Sequence, residues 1–270
     1  MVTARREEMA DKDSRNRDRT DNFLSFMVKS NRELQLGSGK DTGFARRNFL
    51  TESEIRGNLF TYSLGGHESP AHKLIFALYL LAALGEQQKW LLEEIDAVVG
   101  GQQDWQSEGL FMEMFPRLKR CQAAMLETLR LYPSVTVLPK CTGSTPSAIT
   151  IGDTFRSTSL SARVWEANRW VKSAGSDVGD EQIEAPPEGA FLPWSEGKRV
   201  CPRKRFSQVG FVTALVAILF EHSIEVVTSI GESREKAQKR ALSAVENTYA
   251  VLTVHRYNLS SVRLKLAKRR

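Results

Sequence analysis

Cysteine is scarce in this chain: three residues in 270, at positions 121, 141 and 201. An odd number, widely spaced and with no CxxC pair, argues against a disulfide framework and fits a reducing compartment. Long apolar runs are also missing. The longest, Leu74 to Leu84, is shorter than the roughly 20 residues a membrane-crossing helix needs. The first residues, MVTARREEMADKDSRNRDRT, contain no apolar core, so they read as neither a signal peptide nor an anchor. Histidine is rare, with four residues. Two of them sit in HESPAH, where His67 and His72 are five apart, or about 140° around a helix. Zinc ligation from one helix needs i and i+4, and Pro70 lies between the two, so a zinc hydrolase is excluded. There is no P-loop, no GxGxxG, no serine nucleophile elbow and no internal repeat.

What remains is ordinary globular composition, 41% hydrophobic and 26% charged. The net charge is +6, but acids and bases are interspersed. No basic stripe carries interleaved aromatics, so nucleic acid is not an expected partner. A mildly basic surface suits an acidic protein partner instead.

The chain divides by pattern. Residues 1–20 are charge-dense and polar and read as a disordered arm. Residues 21–270 read as the folded part. Apolar residues at helical spacing predict helices over 21–34, 51–85, 86–100, 112–133 and 203–223. Thr51 and Glu54 form a capping box at the start of the 51–85 segment. Gly65, Gly66 and Pro70 interrupt its middle, and such residues inside a helix cost about 1 and 3 kcal/mol against alanine. VTVLPKCTG and SAITIGDTF read as short strands, as do YAVLTVHRY and SVRLKLAKR near the C-terminus. Residues 172–190 read as a loop. The fold class is therefore mainly α, an α-rich α+β arrangement.

FLPWSEGKRVCPRKRF (191–206) places Cys201 among cations, directly before an apolar helix. Positive neighbours and a helix N-terminus both stabilise a thiolate, which is the form that ligates metals. A cysteine thiolate is one established axial ligand of haem iron, and a nearby arginine suits a carboxylate such as a haem propionate. In ETLR, Glu127 and Arg130 lie at i and i+3 on one helix face and can pair.

Together these residues resemble the cytochrome P450 superfamily, the haem-thiolate monooxygenases, and look most like its fungal members. WSEGKRVCP is similar to the family's cysteine loop. The match implies family roles for Trp194, Gly197 and Arg199, with Cys201 as the axial ligand. ETLR with RLYP resembles the ExxR helix. GGHES resembles the centre of the long distal helix, and NRW the motif whose arginine joins the ExxR pair. The resemblance then implies a structural Glu127–Arg130–Arg169 triad, a Glu68–Ser69 pair that relays protons through water, and Lys140 near a propionate. It also implies heme b as cofactor, NADPH as indirect electron source through a reductase, and a small organic substrate. Eukaryotic family members are usually anchored in the endoplasmic reticulum membrane. A chain without that anchor is expected to be cytoplasmic or peripheral.

The departures are specific. Arg203 stands where the family has glycine, which matters if that site needs a positive φ or close approach to the haem. Ala167 replaces the proline before NRW. The segment from 151 to 168 is short, and about half of the family's chain, on the N-terminal side, is absent. Two outcomes stay open: a haem-thiolate enzyme domain, or a truncated, degenerate remnant that binds haem weakly or not at all.

Overall fold

The computed structural model describes residues 23–37, 50–102, 104–135, 164–173, 175, 177–186, 189–197, 200–250, 254–256 and 262–269. The charged arm at 1–20 and the strands expected at 135–143 and 147–155 fall outside these, apart from Val135. The chain separates into two compact units, Met1–His67 and Glu68–Arg270.

The first unit holds helices α1 (Phe23–Gly37) and α2 (Glu52–Gly65). Thr51 caps α2 as its capping box predicts: Glu54 N donates to Thr51 Oγ1 at 3.2 Å, and Thr51 N donates to Glu54 Oε2 at 2.6 Å. Val28 and Ile55 form a small apolar contact, edged by Leu24, Met27 and Leu59. Asn31 ties the chain before α2 to α1 by exchanging two hydrogen bonds with the backbone of Leu50.

The expected 51–85 helix is two helices. Gly66 caps α2, and α3 begins at Glu68 and runs to Ala83. Pro70 is thus the third residue of α3, in the first turn, where a backbone N–H has no helical partner to lose.

In the second unit α3 is the central element. α4 (Gly85–Val98), α6 (Lys119–Leu131), α7 (Lys204–Glu221) and α8 (Arg234–Glu246) pack around it. Buried Phe76, Ala77, Leu80 and Leu81 of α3 meet a core that includes Leu91, Ile95, Leu129, Phe211, Leu215 and Leu219. The expected 112–133 helix is broken: α5 (Glu108–Met114) ends in a 3-10 turn at Phe115–Arg117, and α6 starts after Leu118. α6 has no local side-chain cap. Glu94 of α4 supplies one, accepting from Arg120 N at 2.6 Å and Cys121 N at 2.9 Å.

Three small antiparallel sheets complete the fold. β1 (Val171–Ser173) pairs with β2 (Glu181–Ile183), inside the stretch that reads as loop. β3 (His222–Val226) pairs with β6 (Leu264–Lys268), matching Ile224 to Leu266. β4 (Thr248–Ala250) pairs with β5 (Val254–Arg256). Gln88 of α4 closes the edge of β3, donating to Ile224 O and accepting from Ile224 N. α8 has no counterpart among the expected helices. Its buried face is Ala237, Ala241 and Val245, small residues that let it pack on α3 but give a weak periodic signal.

Candidate functional site

Glu127 lies on the buried side of α6 with 0% exposure. Its two oxygens accept from Arg130 Nε at 2.8 Å, Arg130 Nη2 at 2.9 Å, Arg169 Nε at 2.9 Å, Trp170 Nε1 at 2.9 Å and Glu166 N at 2.8 Å. Arg169 and Trp170 come from the 3-10 turn Ala167–Trp170, which packs on α6. Both arginines also donate to Val164 O, at 3.1 and 3.0 Å. Burial alone pushes the Glu127 carboxyl up. The donors from Arg130, Glu166 and Trp170 outweigh that and leave it below the ordinary carboxylate value. A buried carboxylate this fully bonded is a brace, since its lone pairs are already committed.

The second group is the cysteine loop. Cys201 N donates to Trp194 O at 2.7 Å, closing the turn, and Val200 N donates to Gly197 O at 3.1 Å. The loop needs left-handed backbone at Gly197, φ +71°, and also at Ser195, φ +60°. Trp194 is pinned from the other side, where its Nε1 donates to Ser207 Oγ of α7 at 2.8 Å. Lys204 N then bonds Cys201 O at 3.1 Å and α7 begins. Cys201 is a free, half-buried thiol at the head of an 18-residue helix, whereas Cys121 is fully buried.

Arg203 has φ −98°, an ordinary right-handed value. A positive φ is therefore not required there, and a side chain is tolerated without backbone strain. The guanidinium sits 4.4 Å from the Phe206 ring centre, and that of Arg205 sits 4.3 Å from Phe115.

These two groups are joined by aromatic rings. Trp170, bonded to Glu127, lies 4.9 Å from Phe191, and Phe191 lies 6.4 Å from Trp194 in an edge-on arrangement. The distances and tilts are those that aromatic pairs prefer. Trp170 ends the NRW triplet and Phe191 opens the 191–206 stretch, but the motifs give neither ring a role. Their signal is adjacency: Trp170 follows Arg169, and Phe191 precedes Trp194 by one short turn.

Glu68 and Ser69 open α3; Glu68 is exposed and Ser69 half-buried. Lys140 and Arg199 lie outside the described residues. α3 packs on both α6 and α7. A cavity of about 200 Å³ is lined by Ala82, Val226, Thr228, Arg234, Gln238 and Lys265, among others, and by none of the site residues.

Among the described residues, no three His, Cys, Asp or Glu side chains gather as a metal cluster. Cys201 is a single accessible sulfur donor, the donor set that suits an iron already held by a macrocycle. The loop's fit to haem rests on that half-buried thiol, the helix start behind it and the cations that follow.

The sequence model of the family "Cytochrome P450" matches residues 1–155, more than half of the chain. The chain belongs to the cytochrome P450 family. It is similar to the phomenoic acid biosynthesis cluster cytochrome P450 monooxygenase of Leptosphaeria maculans, 26% identical across 83% of this chain and 42% of that protein. It is also similar to cytochrome P450 monooxygenase 124 of Postia placenta, 31% identical across 82% of this chain and 43% of the relative. The chain thus spans less than half the length of these relatives. Among solved structures it resembles a crystal structure of a cytochrome P450 (CYP102L1), with a TM-score of 0.55, 19% identity, and coverage of 99% of this chain and 58% of the other. That likeness supports the mainly α P450 fold with small sheets. Among the described residues no helix is long and apolar enough to cross a membrane.

Proposed function

We propose that this chain is the haem-thiolate portion of a P450 monooxygenase, in which Cys201 would be the residue that ligates the haem iron. The observation that carries the reading is the accessible Cys201 thiol, on a loop closed by Trp194 O and leading into α7. A bound haem supplies insertion of one O₂ oxygen into an organic substrate, using two electrons and two protons and releasing water. The protein's own residues do the rest. Cys201 stands just before the first turn of α7 and is followed by Arg203, Lys204 and Arg205. The Glu127–Arg130–Arg169 network holds the chain beneath the loop and takes no part in proton transfer. Glu68 and Ser69, in the first turn of α3, would hold a water and hand protons on through it. Arg199 and Lys140 would meet the propionates, as the resemblance of their motifs implies. Lys198, Arg199, Arg203, Lys204 and Arg205 are the cations to which an acidic, NADPH-dependent reductase would dock.

The test is spectroscopic. The chain is produced with haem supplied, reduced and exposed to CO. A red-shifted thiolate Soret band that disappears in Cys201→Ala supports the assignment. Absence of haem uptake overturns it and leaves the non-catalytic remnant as the reading.

A further inference from the structure

We propose that Phe191 is a positioning residue that couples the Glu127 ion network to the backbone of the Cys201 loop. The inference deepens the reading of Cys201 as haem ligand and rests on it for its functional meaning.

The path is continuous and short. Glu127 Oε2 accepts from Trp170 Nε1 at 2.9 Å, so the indole is fixed in plane by a buried carboxylate. The Trp170 ring lies 4.9 Å from Phe191, tilted by 55°. Phe191 meets Trp194 at 6.4 Å and 78°, an edge-to-face contact. Trp194 then holds the loop twice. Its carbonyl accepts from Cys201 N at 2.7 Å, and its indole N–H donates to Ser207 Oγ at 2.8 Å. Trp170 is buried, while Phe191 and Trp194 are half-buried against the same core. Phe191 thus lies against both tryptophan rings.

The loop needs such an external hold. It contains left-handed backbone at Ser195, a residue that disfavours it, so it is not the chain's relaxed local conformation. Without Phe191 the Trp194 ring loses its partner on that side, and the turn that presents Cys201 opens more often. Phe191 acts through Trp194 and does not touch the sulfur.

The first readout needs no haem. The full chain is labelled with iodoacetamide, and alkylation at each cysteine peptide is followed by mass spectrometry. Phe191→Ala is expected to raise the labelling rate at Cys201 by about tenfold. Phe191→Tyr should restore it. Trp170→Phe, which keeps the ring but removes the N–H to Glu127, should raise it about threefold in the parent chain and not at all on top of Phe191→Ala. Protection of the fully buried Cys121 reports that each variant remains folded. Should Phe191→Ala fail that control, Phe191→Leu and Trp170→Phe decide the question. A Cys201 rate within twofold of the parent in folded Phe191→Ala, or a Trp170→Phe effect that persists unchanged in its background, overturns the coupling. Failure of the parent chain to take up haem defeats the proposed function while leaving the labelling result to judge the coupling.

Discussion

Trp170 donates its indole N–H to Glu127 at 2.9 Å, and that bond joins the ExxR helix to the turn carrying Arg169. Glu127 is the common acceptor for two arginines, one tryptophan and one backbone amide. Removing it leaves two guanidinium groups without their buried counter-charge. Glu127→Ala is expected to lose about 3 kcal/mol, towards the low end for a broken buried pair because the arginines are partly exposed. Urea unfolding measures it. A loss below about 1 kcal/mol would place the network among ordinary surface pairs. The pH dependence has a definite sign. The folded carboxyl lies below its ordinary value, so its contribution is present above that value and is lost as pH falls through the folded pKa. Glu127→Gln should flatten that acid limb.

The motifs that announced the site were local ones. Glu127 and Arg130 are one turn apart and were marked by their spacing, whereas Arg169 was marked only by the resemblance of NRW to the family's motif. Their shared geometry is long-range, because Arg169 reaches Glu127 across 42 positions. Pattern reading found the apolar helices, because a face such as Phe211, Leu215 and Leu219 has clear periodicity. It missed α8, whose buried face is mostly alanine, and the β1–β2 hairpin, whose strands are three residues each. It also extended one helix through Pro116, where the chain turns in a 3-10 step. The aromatic link through Phe191 was invisible for a different reason. Rings 21 positions apart, Trp170 and Phe191, meet only after the hairpin has folded between them.

Glu94 should make stability fall with rising pH around neutrality. Its carboxyl is completely buried, which pushes its pKa up to about 7 despite the two amides it caps. The groups facing it are Arg120 and Cys121 on α6, Glu181 on β2 and its neighbour Glu93, with Arg120 bonded to both glutamates. The folded pKa exceeds the unfolded one. The stabilisation is therefore complete below about 4.5 and is lost as pH rises through about 7. The span corresponds to about 3 kcal/mol. Chemical denaturation at pH 5 and pH 8 should show the parent less stable at pH 8, and Glu94→Gln should remove most of that difference. Equal stability of the parent at both values would contradict the assignment.

Arg203→Gly should not stabilise the empty chain. The residue has φ −98° and ψ 12°, which arginine adopts freely, and glycine there only adds unfolded-state entropy and forfeits the contact with Phe206. The expected change is a loss of about 0.5–1 kcal/mol. Haem retention is the separate readout. If Arg203→Gly retains haem better while losing stability without it, the side chain obstructs the cofactor's approach. If retention is unchanged, the loop accommodates arginine in both states.

Lys73 is an unfavourable buried group, and replacing it should stabilise the protein. It lies on α3 with 2% exposure, and its Nζ has no hydrogen-bond partner. Its nearest compensation is the Phe76 ring face, 4.5 Å away, and Phe76 in turn stacks on Tyr132 at 4.8 Å. Desolvation lowers the amine from 10.5 to about 8. At neutral pH the ammonium is still mostly charged, so burial costs about 3 kcal/mol, less whatever the ring returns. Lys73→Met keeps the length and apolar stem and removes the charge. It should raise stability at pH 7 by about 1–3 kcal/mol, read from the urea midpoint at constant m-value. The sign with pH is also fixed. The folded pKa lies below the unfolded one, so the parent gains stability as pH rises from about 8 to 10.5, where the amine is neutral in the folded state and charged in the unfolded. The methionine variant should lack that rise, and the two curves should converge at high pH. A parent curve that stays flat across this range, or a destabilised Lys73→Met, would show that the ammonium is compensated by a partner.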